Sequence, residues 1–261
     1  MSVIFFLLVL LGFVSATFGS LLGLGGGVLL VPVLLFLTTA IPSVPVISPQ
    51  EAAGTSLFVM IFTGLSAVRA YWKQKQLDIR RALLFLTGII PGTLIGTSTS
   101  SIVQTNDFML YFGFLMLVIT GCLWLRQNTK PMETEKKNKR VLMISTAVLV
   151  GMVVGFLSGL FGIGGGSLMI PILLVWFRFP VKVVVPMAMF IVLFSSLVGA
   201  SAHFVAGHIH WWYALALIPG AWFGGKCGAW LNHRVKSRFL LVIMKIVFVL
   251  LALMLIYQGL F

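Results

Sequence analysis

The sequence predicts an all-α polytopic membrane protein made of two inverted repeats, each a glycine-broken hairpin followed by three transmembrane helices. Three observations lead to this fold class. Of the 261 residues, 60% are hydrophobic and only 9% are charged, which is far from the composition of a soluble globular domain. A glycine-rich motif occurs twice, and corresponding loops in the two halves of the chain have opposite charge character.

The repeated motif is Gly-x-Gly-Gly-Gly-x-Leu-x-x-Pro, found at Gly23–Pro32 and again, 139 positions later, at Gly162–Pro171. Consecutive glycines weaken a helix interior because glycine loses the most backbone freedom on ordering. Unpaired backbone groups are costly in lipid, so broken backbone at membrane depth is tolerated only inside protein or beside water. Two breaks at corresponding places in two halves are typical of a transporter binding site.

The first half begins with an apolar arm over residues 3–22. After the glycines, residues 28–39 form a second arm of about 18 Å, too short to cross a hydrocarbon core of about 30 Å. In the proline-containing loop 38–50, Ser48 is the expected N-cap of the next helix and Glu51 its capping-box partner. The remaining elements expected in this half are spans 52–72, 82–101 and 108–125, with a basic loop at 73–81 and a short turn at 104–107.

The second half repeats this order after a basic linker at 126–140, so we divide the chain into a first repeat (1–125), the linker, and a second repeat (141–261). Its expected elements are an arm at 141–161, a short arm at 168–176, turns at 178–182 and 206–210, and spans at 183–204, 211–231 and 240–257.

The loop charges indicate that the second repeat is inverted relative to the first. If each repeat is one glycine-broken hairpin plus three full spans, it crosses the membrane an odd number of times, and the second repeat is then inverted. Each pair of corresponding loops contains one basic loop and one without Lys or Arg. Because cytoplasmic loops carry the excess of Lys and Arg, this alternation fits inverted repeats and not parallel ones. We therefore expect both termini outside and four loops in the cytoplasm, at 73–81, 126–140, 178–182 and 232–238. Whether the arms 3–22 and 141–161 cross fully or dip in and return stays open.

The formal net charge of +13 does not indicate a nucleic-acid-binding protein, because the cations lie in these short loops. The two cysteines, Cys122 and Cys227, lie far apart in apolar segments without metal-ligand spacing, and packing explains both. We expect no cofactor and no metal site.

These features resemble the TauE/SafE family of anion permeases, also called the toluene sulfonate uptake permease family, over essentially the whole chain. The resemblance rests on the repeated glycine-proline motif, on Gly54-Thr55-Ser56-Leu57, and on Pro-Gly-x-x-x-Gly at Pro91 and again at Pro219. It implies transport of sulfite, sulfoacetate or related organosulfonates, often as export. The second half departs from the pattern at Pro186-Met187-Ala188-Met189, so hydroxyl ligands are expected mainly from the first half.

The substrate site is expected at the two glycine clusters, where backbone N–H groups and the positive ends of the short arms would face an anion. The alternative is that these glycines only allow close helix packing. Thr55 and Ser56 are candidate hydroxyl donors, although such side chains often bond to their own helix. The proposed set comprises Gly25, Gly26, Gly27, Thr55, Ser56, Gly164, Gly165, Gly166 and Ser167.

Other polar residues have simpler explanations. Lys226 and Lys245 lie inside predicted spans, but each is close enough to a cytoplasmic end to snorkel. Glu51 could couple a proton, yet the capping box accounts for it equally well. The three histidines His203, His208 and His210 lack convincing metal-ligand spacing, and an interfacial position is the expectation.

We expect a permease that exports small sulfur-containing anions by alternating access, with ion-coupled uptake of another small anion as the alternative. The expected surroundings are a small anionic substrate and the lipid of a prokaryotic plasma membrane, with a homodimer as an open alternative. An intramembrane protease is disfavoured because Asp78 and Asp107 both lie in loops and no HExxH occurs. A thiol-handling factor would need Cys122 and Cys227 to act together.

Overall fold

The computed structural model describes residues 2–40, 45–99, 105–124 and 137–260, and every regular element in these ranges is helical. The predicted linker therefore lies outside the described residues up to residue 136, as do residues 100–104. In chain order the helices are α1 Ser2–Leu22, α2 Gly27–Ala40, α3 Pro49–Lys73, α4 Ile79–Thr99, α5 Thr105–Trp124, α6 Lys137–Phe161, α7 Gly166–Pro171, α8 Val181–Val205, α9 Trp211–Arg234 and α10 Ser237–Leu260.

Five of the described helices are long and apolar enough to cross a membrane. These segments are Ile4–Leu22, Pro49–Lys73, Ile79–Thr99, Val181–Val205 and Ser237–Met254. The spans predicted at 108–125 and 211–231 correspond to the continuous helices α5 and α9. In α9 the tryptophans, the glycines and Lys226 lower the hydropathy of an otherwise apolar helix.

Local sequence signals account for how several helices begin and end. The capping box at the start of α3 is confirmed, because the Glu51 amide donates to the Ser48 hydroxyl over 3.2 Å and the Ser48 amide donates to the Glu51 carboxylate over 2.8 Å. The short arm predicted at 168–176 is α7 followed by one π-helical turn over Ile172–Trp176. Pro171, which has no N–H to donate, directly precedes that turn.

The helices pack in pairs that join the two halves of the chain. α1 lies along α9, and α6 lies along α4. The central helices α3 and α8 contact each other, α3 also contacts α9, and α8 also contacts α4, while α5 packs against α10. Exchanging the first five helices for the last five therefore reproduces the same set of main contacts.

Rows of glycine allow α4 to pack closely on α6, and α9 to pack closely on α1. The glycines of α4 (Gly88, Gly92 and Gly96) lie against carbonyls of α6, those of Val148, Met152 and Phe156 respectively. The corresponding contacts of α9 join Gly220, Gly224 and Gly228 to the carbonyls of Val9, Phe13 and Thr17 in α1. By these contacts Gly92 of α4 corresponds to Gly224 of α9. The Pro-Gly motif instead aligns Gly92 with Gly220, one helical turn earlier. The glycines lie on the face that contacts the partner helix, whereas Pro91 and Pro219 are not buried in this contact.

Basic loops gather at one end of the helix bundle, which we call the basic end. The Lys182 ammonium donates to the Asn232 and His233 carbonyls, the latter over 3.3 Å. The side chains of Gln76 and His233 lie within hydrogen-bonding distance at 2.8 Å, which joins loop 73–81 to loop 232–238. Three of the four loops predicted to be cytoplasmic therefore lie together, although which side of a membrane they face stays a prediction.

Loops without Lys or Arg form the opposite end, which we call the histidine end. The Tyr213 hydroxyl donates to the Pro45 carbonyl over 2.9 Å, and the His210 amide donates to the Thr55 hydroxyl over 3.0 Å. α1 begins at this end, where Phe5 packs on Trp212, and extends to Leu21, whose carbonyl accepts from the Asn232 side chain over 2.7 Å. At 21 residues, or about 31 Å, α1 is long enough to cross before α2 returns.

Candidate functional site

Two breaks in helical structure lie at the glycine motifs. The first break, residues 23–26, separates α1 from α2, and the second break, residues 162–165, separates α6 from α7. In the first, Gly23, Gly25 and Gly26 have φ of +82°, +81° and +91°. In the second, the corresponding glycines 162, 164 and 165 have φ of +70°, +70° and +68°. Because L-residues with a side chain rarely adopt this region, the motif encodes the break itself and not only close packing.

The two breaks touch each other in the interior of the protein. A Cβ built on Gly27 would lie 2.8 Å from the Gly162 carbonyl oxygen, and a Cβ built on Gly166 would lie 2.5 Å from the Gly23 carbonyl oxygen. Each helix that follows a break therefore starts against the first glycine of the other break. Residues 19–28 and 158–171 are buried throughout, so the structure brings together the six glycines proposed from the sequence.

The central helices α3 and α8 cover the breaks at equivalent positions. Gly27 lies against Ser56 and Met60 of α3, whereas Gly166 lies against Ala188 and Val192 of α8. Ser56 and Ala188 are 132 residues apart in the chain, as are Met60 and Val192. Met60 and Val192 both lie close to Gly25, so they fill the space between the breaks. One side chain from each central helix therefore packs at the place where the two breaks meet, which we call the junction.

Thr55 and Ser56, the two hydroxyls proposed from the first half, have different surroundings. The Ser56 hydroxyl lies at the junction and donates to the Gly162 carbonyl over 3.1 Å. The Thr55 hydroxyl instead accepts from the His210 amide at the histidine end. Ser167, proposed from the second half, is fully buried, and its hydroxyl has no hydrogen-bond partner among the described residues.

Three serines beside the second break were missed by reasoning from the sequence. Ser195 donates to the Gly164 carbonyl over 2.7 Å. A Cβ built on Gly164 would lie 3.1 Å from the Ser196 hydroxyl, and one built on Gly165 would lie 3.6 Å from the Ser158 hydroxyl. The available signal was that Ser158 lies four residues before the motif, while Ser195 and Ser196 lie one helical turn beyond Val192, which packs on it.

Among the residues that the structure describes, none at the junction carries a buried formal charge. Among the described residues the buried polar side chains are Ser, Thr, His and Asn, with no Lys, Arg, Asp or Glu. Positive potential at the breaks must therefore come from dipoles, namely hydroxyls and the amides of the first helical turn. Some of these amides already donate within the breaks, the Gly166 amide to the Gly164 carbonyl over 2.8 Å and the Leu29 amide to the Gly26 carbonyl over 3.0 Å. Such a site offers hydrogen-bond donors without the cost of desolvating a cation.

The charged residues considered from the sequence lie away from the breaks. Lys226 is exposed, and the Lys245 ammonium lies 5.7 Å from the centre of the Trp124 ring. Asp78 pairs with Arg81 at 3.2 Å, and Glu51 serves the capping box. Cys227 is half-buried, and the Cys122 side chain lies outside the described part. Within that part, no group of three His, Cys, Asp or Glu side chains could hold a metal ion.

Two buried residues of the central helices occupy equivalent positions near opposite ends of the bundle. Tyr71 of α3 donates its hydroxyl to the Ser20 carbonyl over 2.7 Å, near the basic end. The equivalent residue of α8 is His203, which is fully buried against Gly54 and whose ring centre lies 5.6 Å from that of His208. Sequence reasoning placed His203 at an interface with the other histidines, but the structure places its side chain inside the helix bundle.

A concave feature lies on the surface at the basic end. It is a groove of about 450 Å³ lined by residues 75–81 and Val183. Its cations are exposed or half-buried, with Arg81 already paired to Asp78 and lying over the Phe179 ring at 5.0 Å. Exposed cations of this kind attract anions only weakly in water and salt, so the glycine junction is the better candidate site.

Comparison with known proteins identifies the family. The sequence matches the family described as "Sulfite exporter TauE/SafE" over residues 8–257. It is 43% identical to the probable membrane transporter protein YunE of Bacillus subtilis, with 98% of this chain and 99% of the relative covered. A probable membrane transporter protein of Methanocaldococcus jannaschii is 26% identical, over 91% of this chain and 90% of the relative. No solved structure matches significantly. Both relatives are named as probable membrane transporter proteins, and the chain belongs to the TauE/SafE sulfite exporter family.

Proposed function

We propose that this protein is a permease that carries small sulfur-containing anions, such as sulfite, sulfoacetate or related organosulfonates, across the plasma membrane of a prokaryote. The observation that carries the proposal is the buried contact between the two glycine breaks, together with the finding that no Lys, Arg, Asp or Glu is buried among the described residues. Broken helices that meet inside a bundle present backbone donors to an anion, as discontinuous helices do in other transporters.

The two repeats, 1–125 and 141–261, are proposed to be inverted relative to each other. Three features support this. The main helix contacts persist when the halves are exchanged. α1 runs from the histidine end towards the basic end. α6 runs parallel to α4, and both run from the basic end towards the histidine end. The loops with and without cations also separate to opposite ends of the bundle. A pair of inverted repeats has two equivalent conformations, which is the basis of alternating access.

In the proposed mechanism, the described conformation is the one in which the junction is closed towards both ends of the bundle. Met60 and Val192 fill the space beside the breaks, Tyr71 is buried near the basic end, and His203 is buried near the histidine end. Alternating access would then require the central helices α3 and α8 to move these side chains, one end at a time. A homodimer is compatible with this mechanism and is not required by it.

Export is the proposed direction because an inside-negative potential favours the exit of an anion, by about 2.3 kcal/mol per charge per 100 mV. The test is the flux of radiolabelled sulfite and of radiolabelled methanesulfonate from proteoliposomes that contain the purified full-length protein. We expect saturable flux that an inside-negative potential accelerates outward. Absence of saturable flux for sulfite and every sulfonate tried would overturn the proposal, and flux that requires a proton or sodium gradient would favour ion-coupled uptake.

A further inference from the structure

Serine hydroxyls without partners surround the second break. Ser158 of α6, Ser167 of α7 and Ser196 of α8 are each fully buried, and none of their hydroxyls has a hydrogen-bond partner among the described residues. Leaving a buried hydroxyl unpaired costs about 1–3 kcal/mol. Three such groups around one short segment are therefore unlike ordinary packing, in which buried polar atoms are nearly always satisfied.

Two of these hydroxyls converge on the backbone of adjacent glycines. A Cβ on Gly164 would lie 3.1 Å from the Ser196 oxygen, and a Cβ on Gly165 would lie 3.6 Å from the Ser158 oxygen. Ser195 fixes the break by donating to the Gly164 carbonyl over 2.7 Å. Ser167 lies two residues after the break, in the first turn of α7. The Ser158 and Ser196 hydroxyls therefore reach the break from α6 and α8, and Ser167 belongs to the helix that starts there.

The first break has no such set of hydroxyls. The positions equivalent to Ser158, Ser167 and Ser196 are Gly19, Val28 and Gly64. Gly19 packs directly on the backbone of the first break, and Gly64 packs on Leu193, with a Cβ-to-Cα distance of 3.0 Å. The space that hydroxyls occupy around the second break is taken by backbone and apolar groups around the first. The site is therefore asymmetric, although the backbone breaks are alike.

We propose that Ser158, Ser167 and Ser196 bind the oxygen atoms of the transported anion, and that this site selects monovalent oxyanions, such as sulfonates and hydrogen sulfite, over divalent ones such as sulfate. This inference rests on the proposed transport function and assigns the ligand groups. Three hydroxyl donors suit the three oxygens of a sulfonate group. No cation is buried among the described residues, so the dipoles must offset the whole desolvation cost of the ion, and that cost rises with the square of its charge.

The proposal is tested with Ser158→Ala and Ser196→Ala, with Ser201→Ala as the matched control. Ser201 lies on the same helix as Ser196, is exposed, and donates to its own helix at the Leu197 carbonyl over 2.8 Å. A hydrogen bond to a charged group contributes about 1.5–3 kcal/mol. We therefore expect the KM for methanesulfonate flux to rise about tenfold or more in either test variant and to stay unchanged in the control.

Thermal unfolding of the purified proteins separates binding from structural support. Removing a hydroxyl that has no partner should leave the melting temperature without anion unchanged or raised, while the stabilisation by methanesulfonate should shrink. Unchanged KM and unchanged stabilisation in both variants would overturn the assignment, as would a loss of stability without anion.

The charge selectivity is tested by competition in the wild-type protein. We expect methanesulfonate to inhibit sulfite flux and equimolar sulfate to leave it nearly unchanged, whereas equal inhibition by sulfate would overturn the selectivity. A wild-type protein that carries no sulfur oxyanion at all would instead count against the proposed function, so the two failures are distinguishable.

Discussion

Gly27→Ala tests whether the contact between the two breaks matters for the protein. The added Cβ would lie 2.5 Å from the Met60 sulfur, 2.8 Å from the Gly162 carbonyl oxygen and 2.9 Å from the Ser56 hydroxyl. Ordinary contacts between carbon atoms are about 3.5–4.0 Å. The Met60 side chain can move aside, but the Gly162 carbonyl belongs to the backbone, so the two breaks must separate by roughly 0.5–1 Å.

The expected cost of this separation is that of overpacking, about 1–3 kcal/mol. In a protein of this size 1 kcal/mol shifts the melting temperature by about 2–4 °C, so we expect a decrease of several degrees. Gly27 is helical and lacks a positive φ, so the variant changes the contact without straining the local backbone. Sulfite flux should fall in parallel, because the geometry of the junction is altered.

The matched control is Gly121→Ala in α5. Gly121 is also helical, is exposed, and a Cβ there would meet no atom of the described residues within 4 Å. Alanine in place of a helical glycine gains up to about 1 kcal/mol, so the control should be as stable as the wild type or more so. Wild-type flux and wild-type melting temperature in Gly27→Ala would refute the reasoning, since the breaks would then tolerate separation.

Three further predictions concern residues outside the junction. Tyr71→Phe removes the donor to the Ser20 carbonyl and should lower the free energy of unfolding by about 1–3 kcal/mol, which thermal unfolding measures; unchanged stability would mean that the bond contributes nothing. Lys226→Gln should leave sulfite flux unchanged because its side chain is exposed, and a loss of flux would place it in the transport path. In a variant without native cysteines, Val46→Cys should react with a membrane-impermeant maleimide in intact cells and Lys236→Cys should not, with the reverse pattern indicating the opposite orientation.

The sequence was sufficient for features that are encoded locally. The capping box at Ser48 and Glu51 needs only adjacent residues, and the breaks need only glycines that can adopt positive φ. The grouping of loops 73–81 and 178–182 at one end could be predicted from charge, because loops on the cytoplasmic side of a membrane protein carry an excess of Lys and Arg. These elements therefore match the structure closely.

Features that depend on contacts between distant helices were not predictable. Ser158 and Ser196 become part of the candidate site because α6 and α8 pack on the same short segment, and no spacing within either helix indicates this. The equivalence of Gly92 with Gly224 was also missed, since the Pro-Gly motif suggested a match one turn earlier. Packing follows the face that carries the glycines, and a proline outside that face does not determine the register.

The central claim is that the anion binds where the two breaks meet, and the most direct test is to locate a bound anion in a structure. Crystals of the full-length protein grown with bromomethanesulfonate would give an anomalous signal from the bromine. We predict a peak beside the second break, with the sulfonate oxygens within hydrogen-bonding distance of the Ser158 and Ser196 hydroxyls. A peak found only in the groove of the basic end, lined by residues 75–81, would contradict the claim.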